Sequence, residues 1–150
     1  MSNQSKPENP AKTFLRRYRS ILRRAESLQR AIDEAYGRAT STSVRLKTIS
    51  VQSSGAYDSM AEDVVRAADA TEQLRAELGR ANAALGEILE AIASVPDEAQ
   101  KTVLTLRYVE GRAWTDIQEA ISYEKTQAYV LHGRGLWHVN QWLQVRTKTE

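Results

Sequence analysis

The stretch LTLRYVEGRAWTDIQEAISYEKTQAYVLHGRGLWHVNQWL, residues 104–143, decides the fold of this chain. It reads as the end of one helix, a stop at Gly111, a short helix over Trp114–Ile121, a turn at 122–124 and a longer helix over Lys125–Leu143. Trp114, Ile117 and Ile121 share one face of the short helix. Ala128, Leu131 or His132, Gly135, Leu136, Val139 and Leu143 form the inner face of the longer one. Upstream, Pro96 opens the unit, Asp97 and Glu98 suit a first turn, and Val103, Leu104, Leu106, Tyr108 and Val109 supply apolar contacts. Two helices sharing one apolar face across a tight turn form the pattern of a helix-turn-helix, whose second helix is shaped to enter the DNA major groove. Its outward positions Lys125, Thr126, Gln127, Tyr129, Val130 and Arg134 are the candidate contacts to bases and phosphates.

Working outward, the chain before Pro96 carries heptads. Phe14, Tyr18, Ile21, Ala25, Leu28, Ile32 and Ala35 recur at alternating steps of four and three, the spacing of a coiled-coil seam. Thr13 is the expected N-cap and Gly37 the expected stop. A second series, Met60, Val64, Ala67, Thr71, Leu74, Leu78, Ala81, Leu85, Ile88, Ile92 and Val95, keeps the same alternation up to Pro96. Asp58 or Ser59 is its expected cap. Between the two series the Ser/Thr-rich segment 38–56 shows no helical period and reads as a long loop. The domain plan is therefore a disordered start at 1–11, an antiparallel coiled-coil hairpin at 12–95, a helix-turn-helix at 96–143 and a tail at 144–150. The fold class is all-α. The Ala-rich seam and the greater length of the second series predict a further partner helix, supplied by a second copy in a homodimer.

Charge is unevenly placed. Residues 1–56 hold 11 Lys/Arg against 4 Asp/Glu, residues 57–95 hold 3 against 8, and residues 96–150 hold 7 against 7. The helix-turn-helix segment is thus neutral. The basic surplus lies in FLRRYRSILRR, where Arg16, Arg17, Arg19, Arg23 and Arg24 are candidates for contact with phosphate or an acidic partner. Cysteine is absent, which excludes disulfides, Cys-ligated zinc and thiol chemistry. The two histidines, His132 and His138, lie six residues apart on one helix and do not share a face, so no metal site is expected. No phosphate-cradling glycine loop and no catalytic Ser motif occurs. An enzyme is not expected, nor is a cofactor. No apolar run approaches membrane-spanning length and the N-terminal residues show no signal core, so a cytoplasmic location is expected.

The segment VPDEAQKTVLTLRYVEGRAWTDIQEAISYEKTQAYVLHGRGLWHV resembles region 4 of bacterial sigma factors, where a helix ending in LRYxEG precedes an EIA helix, a turn and an RAL-type helix. It is also similar to small phage and prophage proteins of Gram-positive bacteria. These join an N-terminal coiled-coil hairpin to a sigma-region-4-like end, with LRYVEG, LHGR and the loop element VQSSG as shared features. The resemblance implies a regulator of phage transcription that binds double-stranded DNA. It places Lys125, Thr126, Gln127, Tyr129 and Arg134 at DNA-facing positions. The chain departs from the sigma pattern at Gln118, Ser122, Glu124, Val130 and Gly135. The alternative expectation is a protein–protein adaptor that docks on RNA polymerase or a phage component, with Trp114, Trp137 and Trp142 as core or interface anchors.

Overall fold

The computed structural model describes residues 6–48, 54–122 and 125–150, and all regular structure among them is helical. Helix α1 spans Pro10–Thr48, α2 Ser54–Ala93, α3 Glu98–Leu104, α4 Trp114–Ile121 and α5 Lys125–Thr149. A single π-helical turn, Thr105–Val109, continues α3. Among the described residues no helix is long and apolar enough to cross a membrane.

Several expected boundaries move. Helix α1 starts at Pro10 because Asn9 caps it: the Asn9 side chain accepts from the Ala11 N–H at 3.0 Å. Proline at the first helical position fits, since its missing N–H had no partner to lose. Thr13 is therefore inside the helix. At the other end α1 runs through Gly37 to Thr48. Gly37 has no left-handed backbone and nothing within 4 Å of an added Cβ. It costs helix propensity of about 1 kcal/mol without turning the chain. The loop expected at 38–56 is thus corrected: 38–48 and 54–56 are helical, and 49–53 lie outside the described residues. Helix α2 likewise starts at Ser54, ahead of Asp58 and Ser59. The tail expected at 144–150 is helical through Thr149, and of the start expected to be disordered, Pro10 and Ala11 are helical; residues 1–5 lie outside the described set.

The chain forms two compact units that differ from the expected division at 95/96. One joins the N-terminal residues up to Ser20 to Ala81–Glu150; the other is Ile21–Arg80. In the second unit Arg24 pairs with Glu77 at 3.6 Å and Arg38 with Asp63 at 3.6 Å. As the α1 partner moves forward, the α2 partner moves back, so the two segments run in opposite directions. The buried row of α1 follows the sequence reading at Ile21, Ala25, Ile32 and Ala35.

The α2 row follows it in part, at Ala67, Ala81, Ile88 and Ile92. Asp63, Ala67, Glu77, Ala81, Ala84, Ile88 and Ala91 are buried, while Val64 (52% exposed) and Leu78 (49%) face outward. One of the two seam positions is therefore displaced by one residue, so that Asp63 and Glu77 stand where Val64 and Leu78 were expected. The cause is electrostatic as well as steric. Each buried carboxylate is held by two guanidiniums: Asp63 by Arg38 and Arg66, at 3.6 and 3.8 Å, and Glu77 by Arg24 and Arg80. A buried acid without such partners would be strongly destabilising. Paired in this way, the two acids fix which turn of α2 faces which turn of α1.

The first unit has a core of Ala11 and Leu15 from α1, Ile88, Ala91 and Ile92 from α2, Val95, Leu104, Tyr108, and Leu136 and Val139 from α5. Leu15 is fully buried although it lies beside the heptad row. Helices α3 and α4 both pack on α5. Close approach of α3 to α5 depends on Gly135, where a Cβ would stand only 3.0 Å from Leu104 Cδ1. Gly133 has no such neighbour, so the two glycines are not equivalent. A second aromatic contact ties α1 to α5 through Phe14 and Trp142, with centroids 5.7 Å apart.

The cap of α1 is shared across the unit. Asn140 on α5 accepts from the same Ala11 N–H at 2.9 Å and donates to Asn9 Oδ1 at 3.0 Å. Replacing Asn140 by Ala removes both bonds and leaves Asn9 to cap alone. The expected cost is about 1–2 kcal/mol, read as a lower urea midpoint with an unchanged slope. An unchanged midpoint would show that the shared cap contributes nothing.

Candidate nucleic-acid interface

The sequence of α3 to α5 builds this region from a series of local stops. Asp97 caps α3, its side chain accepting from the Gln100 N–H at 2.9 Å. The π turn then widens the helix, with Glu110 N–H donating to Thr105 O at 3.0 Å, and Arg112 N–H closes the end by donating to Leu106 O at 2.9 Å. Gly111 takes φ 70° and ends the element, as its residue type predicts. Ser122 takes the left-handed conformation, φ 56°, after α4, in the turn where the sigma pattern places glycine. Tyr123 and Glu124, expected in that turn, lie outside the described residues.

Helix α5 presents two faces. Ala128, His132, Leu136 and Val139 are buried against the unit, which resolves the Leu131-or-His132 alternative in favour of His132. Thr126, Gln127, Tyr129, Val130 and Arg134 are exposed. The Lys125 side chain lies outside the described residues. Arg134 makes no hydrogen bond or ion pair with another described residue. These five exposed side chains occupy about two and a half turns of one helix, a set able to reach base edges and phosphates together.

Behind this face lies a ring cluster that sequence reasoning did not assemble. Tyr108 Oη and His132 Nε2 share a buried hydrogen bond of 2.7 Å, and their rings stack at 5.7 Å. Trp114 meets His132 edge-on at 4.9 Å and packs on Tyr129 at 4.5 Å. The Arg107 guanidinium lies 5.0 Å from the Trp114 ring and donates to Arg112 O at 3.0 Å. Tyr129, on the exposed face, is thereby braced from behind. Its signal in the sequence was a Tyr and a His separated by 24 residues, invisible to any helical period.

Burial is the main cause that lowers the His132 pKa to about 4, with Lys12, Arg107 and Arg16 adding repulsion; burial also raises the Tyr108 hydroxyl above its usual value. The folded His132 is therefore neutral at pH 7. Its ordinary pKa of about 6.5 applies once the chain unfolds. Because the folded value is the lower one, the unfolded chain gains the proton first as pH falls, and stability is lost from pH 6.5 down to about 4. Between pH 6.5 and 5 the expected loss is on the order of 2 kcal/mol. Urea midpoints across that window should fall in the wild-type chain and stay flatter in His132→Leu. Equal slopes in both would remove His132 as the cause.

The five candidate arginines of α1 separate. Arg17 pairs with Glu87 at 3.3 Å, and Arg146 reaches the same carboxylate at 3.6 Å. Arg24 is committed to Glu77. Arg23 and Arg24 belong to the unit of residues 21–80. Arg16 pairs with Glu8, and the Arg19 guanidinium lies directly against Gly111.

No known protein family, curated protein or solved structure matches this chain.

Proposed function

We propose that this chain is a DNA-binding transcriptional regulator of phage type, in which α4 and α5 act as a sigma-region-4-like helix-turn-helix and residues 21–80 as an antiparallel coiled-coil hairpin. The observation that carries the reading is the division of α5. Its inner face is buried on α3 and α4, while Thr126, Gln127, Tyr129, Val130 and Arg134 stand outward on its N-terminal half. In this reading Gln127 meets a base edge, and Arg134 and Lys125 meet guanine or phosphate. The exposed Val64, Val65 and Leu78 of α2 support dimerisation through the hairpin, which doubles the number of phosphate contacts.

The test is fluorescence anisotropy of the full chain with duplex DNA from its promoter-proximal region, at low and physiological salt. Binding that weakens steeply with salt supports the regulator. Absence of binding at low salt overturns it. The adaptor reading then takes its place, and one observation favours it: Trp137 and Val145 stand 59% and 67% exposed on α5, two apolar anchors about two turns apart for a protein such as RNA polymerase.

A further inference from the structure

The helix-turn-helix segment is neutral, yet phosphate contact supplies most of the affinity of a DNA-binding protein. The missing cations come from elsewhere in the chain. Lys12, Arg16 and Arg19 follow at steps of four and three on α1, so they form one stripe on that helix. The packing of Ala11 and Leu15 beside Leu104, Tyr108 and Leu136 brings this stripe against the π turn. The contact of Arg19 with Gly111 anchors its position, and the charges around His132 and the rings beside Arg107 agree with it. Lys12, Arg16 and Arg107 all repel a proton on His132 of α5. Arg19 lies against Gly111. Arg107 joins the exposed Tyr129 through the Trp114 ring. Within the π turn Tyr108 is buried and bonded to His132 while Arg107 is half-buried against the Trp114 ring, and π turns are frequent at functional sites.

We propose that Lys12, Arg16 and Arg19 of α1, with Arg107 of the π turn, form a phosphate-backbone site for double-stranded DNA that flanks the reading face of α5. This rests on the regulator reading and names the part of the chain that supplies its affinity. From Lys12 to Arg19 the stripe is about 10 Å long, a length over which one DNA strand presents about three phosphates. Arg17 takes no part because it stands about 100° around the helix from Arg16, and Arg24 belongs to the unit of residues 21–80. Among the described residues the one carboxylate paired with the stripe is Glu8, on Arg16. Glu8 is exposed, and an arriving phosphate displaces it at little cost, since surface ion pairs are weak.

The test compares wild type, Lys12→Gln/Arg16→Gln and Glu8→Gln on the same specific duplex and on an unrelated one, over a range of salt. The double variant is expected to lose affinity by a similar factor on both duplexes. Its slope of log K against log salt should shrink by about 2, one for each lost phosphate contact. Glu8→Gln, which removes a competing charge and no packing, should bind both duplexes more tightly. A structural role for Lys12 and Arg16 would lower stability without moving the slope. If wild type binds and neither variant changes slope or affinity, the α1 site is wrong while the regulator reading stands. If wild type binds no DNA, both fail together. If polyglutamate displaces the duplex as well as an equal charge of DNA does, the stripe serves an acidic polypeptide instead.

Discussion

Leu15→Ala is expected to destabilise the chain by about 2–5 kcal/mol, the range for removing a fully buried leucine. The size follows from where Leu15 lies. It is completely buried, in one cluster with Leu104, Tyr108, Leu136 and Val139. Its side chain therefore fills the centre of the unit that carries α3, α4 and α5, although it belongs to α1. The loss should appear in urea unfolding followed by the near-ultraviolet signal of the tryptophans, two of which, Trp114 and Trp142, lie in that unit's packed regions. Substituting the exposed Ala31 by Ser on the same helix gives the comparison, with an expected change within about 0.5 kcal/mol. A cost below 1 kcal/mol at Leu15 would mean that the α1 start is peripheral to this core.

The second large effect is expected on binding. Gln127→Ala with Arg134→Ala removes the amide and the guanidinium from the outward face of α5 while leaving Ala128, His132, Leu136 and Val139 in place. Each good bidentate base contact is worth about 1–3 kcal/mol. The pair should therefore reduce specific DNA affinity by about two to four orders of magnitude. Binding to an unrelated duplex should fall much less, because phosphate contacts from other residues persist. Stability should change little, since both side chains are exposed. Equal loss on both duplexes would assign Arg134 to phosphate alone, and no loss on either would remove α5 as the reading helix.

The outline of the candidate site was legible from local rules. Trp114–Ile121 and the start at Lys125 follow from an apolar face and a turn, and Gly111 from the left-handed conformation that glycine favours. What local rules missed is non-local. The displaced α2 row depends on Arg24 and Arg38 reaching Glu77 and Asp63 from another helix, so a heptad count that avoids acids chooses Val64 and Leu78 instead. Leu15 reads as an off-row residue until α5 packs on it. The helicity of 38–48 defeats a reading based on Ser and Thr content, because propensity is weaker than the continuation of a long helix. The Tyr108–His132 bond has no sequence period at all.

Asn9 and Asn140 meet across 131 positions of chain. During translation at about 5–20 residues per second, the ribosome makes Leu15 and then adds every residue up to Leu136 and Val139 before these exist to cover it. For roughly 6–25 s at that rate the first turns of α1 are an amphipathic helix whose apolar face has no core to cover it. Arg24 and Arg38, by contrast, find Glu77 and Asp63 after far fewer residues, so the segment 21–80 can order first. Helix α5 follows α1 to α4 in the chain. The core of the first unit therefore closes only once α5 has been made, and a nascent chain halted before α5 lacks Leu136 and Val139 to cover Leu15.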